Sequence, residues 1–337
     1  MKMNSKMMSL LKKVSRTLYL SFAVLPDYLK NMLGCGYLIC RAMDSVVDSE
    51  NFSTHEKKKI LYMFRNLYKE KDLIEELRKF GEKLNIKGEK ELLLNFDCVL
   101  DFIRNFEDKD KALIKMLVRG VSKGMEMDLD FFNSREIKAF KTEVELINYC
   151  KMIGGVPGIY WYEVYNRYMS GKLHDAAIKN SAYQIGIGLQ LTNILKDISL
   201  DAEKKRCYLP LEDLKPYNLQ VNDIINPENI NRFRPIINKW IIYAVDMLDS
   251  SEVFLLSIEK THFQMRAAVI WPVYWALDTL HQVSILNPLS KKCSIKKKEI
   301  YSTILKTPSM LLSNTVFQRG YRFRRETLIT EINNNIS

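Results

Sequence analysis

Only thirteen glycines and nine prolines punctuate 337 residues, and few Asn-Gly or Asp-Gly pairs occur among them. A chain so short of breaks, with few alternating apolar and polar runs, folds into helices far more readily than into a sheet. Helices are expected to begin near Lys30, Thr54, Glu89, Lys111, Glu143, Asp175, Asn231 and Thr261, with a basic one after Ser294. Turns are expected at Leu25-Pro26-Asp27, Asn133-Ser134, Ser170-Gly171, Leu209-Pro210, Asn226-Pro227 and Asn287-Pro288. No linker rich in Gly, Ser or Pro divides the chain and no repeat is visible. The reading is therefore a single all-α domain whose helices enclose a central cavity.

Two of these helices carry carboxylates where packing alone would exclude them. In CGYLICRAMDSVVDSE, Tyr37, Arg41, Asp44 and Asp48 share one helical face, while Leu38, Ile39, Ala42, Met43, Val46 and Val47 take the others. In QIGIGLQLTNILKDISLDAEKKRCYLP, Gln190, Asn193, Asp197 and Asp201 repeat the arrangement among Ile187, Leu191, Ile194, Leu195 and Ile198. An unpaired carboxylate is costly to bury, so each stripe meets water or a cation. Either stripe alone is explained by a half-exposed helix, with Arg41 as an intrahelical partner of Asp44. Two stripes facing each other across a cavity would bring four carboxylates together, and their repulsion would require cations. Oxygen-only ligands select hard divalent ions, Mg²⁺ first, and Mg²⁺ usually completes its shell with substrate phosphates. Arg16, Arg41, Lys196 and Arg206 flank the stripes and suit a diphosphate held by metal and guanidinium together. No G-x-x-x-x-G-K-[ST] or G-x-G-x-x-G loop is present, which excludes nucleotide-style phosphate cradles.

Lys and Arg outnumber Asp and Glu by 51 to 40, a formal charge of +11 that favours anionic partners. Basic residues peak between Lys291 and Arg325, interleaved with apolar ones at helical spacing. That segment is a solvated helix face or a surface for peripheral contact with an acidic membrane. Nucleic acid is not expected, because no recognised module or aromatic-basic stripe accompanies the charge. The six cysteines lie far apart without a C-x-x-C pair, and the four histidines form no H-x-x-x-H pair. Reduced, structural thiols in a cytoplasmic protein are expected, and a histidine-ligated zinc site is not. The apolar run Ala267–Leu277 contains Pro272 and falls short of the ~20 residues of a spanning helix. The N-terminal MKMNSKMMSLLKK lacks a sustained apolar core, so neither a signal peptide nor a transmembrane anchor is expected. Met125, Leu129 and Phe132 follow helical spacing and suit a chain tunnel or ordinary packing. Glu126 and Asp130 read as a solvated or salt-bridged face.

The stretches VSRT, YLICRAMDSVVD, GMEMDLDFF, YCKMIGGVPG, LQLTNILKDISLDAEKKRCYLP and VIWPVYWAL together resemble the squalene and phytoene synthases, which condense two prenyl diphosphates head to head. The resemblance runs from about Ser15 to about Asn314 and is closer to the squalene type. It implies an isoprenoid synthase fold, with residues 1–14 as an N-terminal segment, 15–290 as the catalytic domain and 291–337 as its basic helical extension. It also implies Mg²⁺ and prenyl diphosphates at Asp44, Asp48, Asp197 and Asp201. Ser15, Arg16, Tyr37, Arg41, Gln190, Asn193 and Arg206 would orient the diphosphates, and Tyr149 would sit by the reacting carbons. The implied product is squalene or a related C30 compound, with NADPH required if it is squalene; phytoene or dehydrosqualene is the alternative. A non-catalytic helical assembly or lipid-associated protein that kept the fold is opposed by the presence of all four aspartates. Ser45 stands where a second aspartate is common and Leu18 where Phe is. GGVPG replaces AG-x-V-G, and Pro157 should kink its helix.

Overall fold

The computed structural model describes residues 2–66, 71–169 and 175–334. The Ser170-Gly171 turn lies outside them. The described residues are almost wholly helical; their strands are two residues each, Lys138–Ala139 and Arg206–Cys207, paired in parallel with Lys138 opposite Arg206. The helix starts expected from the sequence fall within three residues of those observed, for instance Asp27, Thr54, Lys87, Asp108, Glu143, Ala176 and Phe263. Ser53 and Thr142 supply capping boxes with Glu56 and Glu145, which fix two of these starts. The chain forms two compact units, one of Met1–Asp130 with Ile159–Asp175 and one of Phe131–Gly158 with Ala176–Ser337.

In the first unit the helix Asp27–Val47 is the central element. Its Leu29, Met32, Leu33, Leu38, Ile39 and Val46 are at most 1% exposed, which is the packing the apolar flanks of its stripe require. The backbone runs so close to the Tyr160 ring that a Cβ on Gly36 would lie 2.6 Å from Cε1, and only glycine fits. Tyr160 completes the contact by donating its hydroxyl to the Met32 carbonyl at 2.7 Å. Residues 5–15 form a helix with Met7, Leu10, Leu11 and Val14 buried. The face of Glu126 and Asp130 is salt-bridged, to Arg65 and Lys58 respectively.

In the second unit the helix Ala176–Lys196 packs against Ile230–Asp249, Ser251–Ser257 and Phe263–Ile285. Ala267–Leu277 is buried within that last helix, apart from Pro272, and the helix runs through the proline without ending. Ahead of Pro157 the chain takes a π-helical turn over Lys151–Gly155, and the α-helix Val156–Tyr168 begins one residue before the proline. Proline lacks the N–H that would continue the ladder, and it is tolerated in the first turn of a helix, where that donor is not needed. Here Gly154 meets Gly186 so closely that a Cβ would lie 2.2 Å from the Gly186 carbonyl oxygen and 2.7 Å from Gln190 Cβ.

Candidate active site

Asp44, Asp48 and Asp197 stand at the C-terminal ends of long helices, and Asp201 lies on the short helix that follows the second. Asp44 lies in the last turn of Asp27–Val47 and Asp48 caps it, its N–H donating to the Asp44 carbonyl at 2.9 Å. Asp197 follows Ala176–Lys196 directly, and the Asp201 N–H donates to its carbonyl, also at 2.9 Å. A helix C-terminus carries partial negative charge, so carboxylates there are unfavourable unless cations accompany them. The second stripe is not one unbroken helix as the spacing suggests: Asp197 leaves helical geometry (φ −108°, ψ 14°), and a short helix Ile198–Glu203 carries Asp201.

Arg41 bonds to Asp44 one turn along its helix and to Glu89 of the helix Lys87–Leu94. Glu89 is 7% exposed and sits far from Arg41 in sequence, so no local spacing signals it. Tyr37 donates its hydroxyl to the Val14 carbonyl at 3.1 Å, tying the end of the helix Ser5–Ser15 beside the stripe. Burial, and then the Asp44 charge against the opposing pull of Arg41, pushes the Tyr37 phenol up to about 12, so it stays a neutral donor. Ser15 is buried and gives its hydroxyl to the Leu11 carbonyl at 2.5 Å, whereas Arg16 is exposed with a left-handed backbone, φ 50°. Arg41, Asp44, Asp48 and Tyr37 are therefore gathered on one helix, with Ser15 and Arg16 following the chain from the tie at Val14.

In the other unit, Asp197 holds two ammonium groups: Lys196 at 2.5 Å and Lys292 at 2.7 Å. Burial opposes its ionisation, but the two lysines hold the carboxyl below the usual carboxylate range. Burial conversely draws the Lys196 ammonium down, with Asp197 opposing. Gln190 is half-buried beside Gly154, Asn193 is exposed, and Arg206 lies in the two-residue ladder. Tyr149 is 8% exposed and stacks on Tyr208, ring centroids 5.0 Å apart, within a cluster that includes Phe132 and Phe140. Tyr208 and Lys292 join the site residues only in three dimensions.

Among the described residues no three His, Cys, Asp or Glu side chains are grouped to hold an ion by themselves. A pair of aspartates on each helix end, half-exposed and oxygen-only, fits Mg²⁺, which takes one or two carboxylates and fills its shell with water and phosphate. The cationic side chains already on Asp44 and Asp197 mark both as places where positive charge is favoured.

Comparison with known proteins places the chain in one family. Residues 11–290 match the family described as squalene/phytoene synthase. Phytoene synthase 2 of Zea mays is 26% identical over 270 residues, covering 80% of this chain and 58% of that protein. Squalene synthase of Cyberlindnera jadinii is 25% identical over 318 residues, covering 93% of this chain and 69% of that one. The chain thus spans about three-fifths of the length of the maize relative. The ligand-bound TcSQS structure superposes with a TM-score of 0.73 at 18% identity, covering 98% of this chain and 97% of that one, which establishes the same fold. The chain belongs to the squalene/phytoene synthase family.

Proposed function

We propose that the chain is a Mg²⁺-dependent prenyltransferase that joins two prenyl diphosphates head to head and releases diphosphate, with two farnesyl diphosphates and a C30 product favoured. The observation that carries this reading is the pair of aspartate couples at helix C-termini, each already holding cationic side chains. Mg²⁺ held by Asp44 and Asp48 and by Asp197 and Asp201 would supply electrostatic stabilisation of the departing diphosphate. The chain's own residues do the rest. Arg41, fixed by Glu89, presents a guanidinium for bidentate contact with phosphate oxygens. Ser15, Arg16, Tyr37, Gln190, Asn193 and Arg206 are proposed to orient the two diphosphates. Tyr149 and the aromatic side chains around it form an apolar wall that keeps water from an allylic cation.

In the proposed reaction, C–O ionisation of one substrate gives an allylic cation, the double bond of the second attacks it, and proton loss closes a cyclopropane. The Tyr149 hydroxyl is proposed to handle that proton. A second ionisation and rearrangement ends in hydride transfer from NADPH, giving squalene, in water capture or in proton loss. Phytoene or dehydrosqualene synthesis is the second reading, because phytoene and squalene synthases match the chain at nearly equal identity. A cytoplasmic protein in peripheral contact with an acidic membrane surface completes the proposal, since a C30 hydrocarbon needs a lipid sink. Among the described residues no helix is long and apolar enough to cross a membrane.

The test is incubation of purified protein with Mg²⁺ and farnesyl or geranylgeranyl diphosphate, with and without NADPH, followed by mass spectrometry of the products. A C30 or C40 head-to-head product is expected. No diphosphate release from either substrate would overturn the reading.

A further inference from the structure

Lys292 belongs to neither aspartate motif, yet its Nζ lies 2.7 Å from Asp197 Oδ1. The segment that delivers it is clasped to the helix break on both sides of that carboxylate. The Ser199 N–H donates to the Pro288 carbonyl at 3.1 Å, and the Cys293 N–H donates to the Lys196 carbonyl at 2.9 Å. Leu289 and Cys293 are buried, 4% and 0% exposed, so the strap is seated by packing as well. Its approach is fixed too, since Arg234 donates to the carbonyls of Val283 and Leu286 at 2.8 and 2.7 Å.

A strap held by two backbone bonds and two buried side chains gains little from one partly exposed ion pair, which is typically worth about 0–1 kcal/mol. Asp197 is also already paired with Lys196, and a second ammonium beside the first adds repulsion. Two cations converging on one half-buried carboxylate suit a site that receives further negative charge. The Lys292 ammonium carries three donors, stands against Asp197 as an ion pair, and belongs to a side chain that is 34% exposed. We infer that Lys292 is a diphosphate-binding residue of this site: in the resting protein it holds Asp197, and with substrate present it turns donors to the phosphate oxygens. The inference rests on the proposed prenyl-diphosphate reading and adds a residue supplied by the strap at 288–293.

The probe is inorganic pyrophosphate with Mg²⁺, titrated calorimetrically into wild type, Lys292→Ala and Lys292→Arg, with the melting temperature of each recorded. Loss of one hydrogen bond to a charged group is expected to weaken pyrophosphate about tenfold or more in Lys292→Ala. Lys292→Arg should retain most of the affinity, and the melting temperatures should stay close to wild type. An unchanged pyrophosphate affinity in Lys292→Ala, with or without a lower melting temperature, would make Lys292 a structural tie and overturn the inference. Should the variant not fold, hydrogen exchange on wild type decides: pyrophosphate should slow exchange at Ser199 and Cys293, and unaltered rates there overturn it. A wild-type protein that neither binds pyrophosphate nor consumes prenyl diphosphates would overturn the functional reading itself. One that binds it with Lys292→Ala unimpaired would overturn only the role of the strap.

Discussion

Tyr149 and Tyr208 stack with their ring planes 22° apart, and their hydroxyl oxygens stand 3.4 Å from one another. That separation is at the long limit of hydrogen bonding, so the pair is held by ring packing more than by its hydroxyls. Tyr149→Phe should keep the stack while removing the group proposed to handle a proton. Turnover is expected to fall about 10²-fold or to stall at the cyclopropyl intermediate. Tyr208→Phe should cost less, because it leaves the Tyr149 hydroxyl in place. An unchanged rate and product profile in Tyr149→Phe would make that hydroxyl structural.

Asp44→Asn and Asp197→Asn test the carboxylates directly. Each keeps the side-chain volume and removes negative charge from a helix C-terminus, which offsets part of the cost of the ion pairs lost to Arg41 or to Lys196 and Lys292. Turnover should drop by about 10² or more while the helical circular-dichroism spectrum stays intact. EDTA should inhibit the wild type and added Mg²⁺ restore it. Full activity in either variant would remove that aspartate from the site.

Gly154→Ala should unseat the second aspartate helix. The new Cβ would lie 2.2 Å from the Gly186 carbonyl oxygen, and neither partner is a side chain that can rotate away. Overpacking of this kind costs about 1–3 kcal/mol, more where backbone must move. A lowered melting temperature together with lost turnover is expected, since Gln190 packs at the same point. A melting temperature equal to wild type would show that the helices separate freely there.

Asp278 gives the stability a pH dependence of determinate sign. Burial raises its pKa above the ordinary value, although Arg324 opposes this from 3.0 Å. The folded protein therefore holds the proton to higher pH than the unfolded chain does. Ionising Asp278 costs stability as pH rises from about 4 through the folded value. Asp278→Asn removes that cost, and Arg324 keeps the Tyr274 ring at 4.3 Å and the Gly320 carbonyl at 3.3 Å as partners. The melting temperature of Asp278→Asn relative to wild type should climb between pH 4 and pH 7. A difference that stays flat would contradict the sign.

Helix content and the positions of the aspartates were readable because both depend on spacing: Asp44 and Asp48, or Asp197 and Asp201, are one turn apart wherever the chain is helical. What surrounds those aspartates was not readable, because Glu89 reaches Arg41, and Lys292 reaches Asp197, from distant segments and no local pattern carries such contacts. The same limit hid Tyr208 as the stacking partner of Tyr149. At Pro157 the missing donor was readable in the sequence, and the π-helical turn that precedes it was not. The π-helical turn absorbs the irregularity one turn earlier, where Gly154 and Gly155 allow close approach. The break at Asp197 is similar: the one-turn hydrogen bond to Asp201 persists while the helix itself ends.

The basic C-terminal segment divides into a part committed to internal ion pairs and a part that is not. Arg322, Arg324 and Arg325 pair with Glu252, Asp278 and Asp249, and Lys292 with Asp197. On the helix Lys297–Leu312, by contrast, Lys297, Lys298 and Lys306 are exposed beside Tyr301, Leu305 and Leu312, which are 61%, 80% and 79% exposed. Positions 301, 305 and 312 fall within about 40° of one another around a helix, so they form one apolar stripe with lysines nearby. The opposite face is anchored through Thr307, which accepts from Trp271 Nε1 at 2.8 Å. An apolar stripe with lysines suits an anionic bilayer, each near-surface charge adding about 1 kcal/mol. Vesicles containing acidic lipid should therefore co-sediment the protein at low ionic strength. Neutral vesicles, or ~1 M salt, which shortens the screening length to ~3 Å, should not. Leu305→Glu combined with Leu312→Glu should abolish the binding without loss of turnover on dispersed substrate. Equal sedimentation with neutral and acidic vesicles would remove the lysines from the explanation, and undiminished binding by the double variant would remove the stripe.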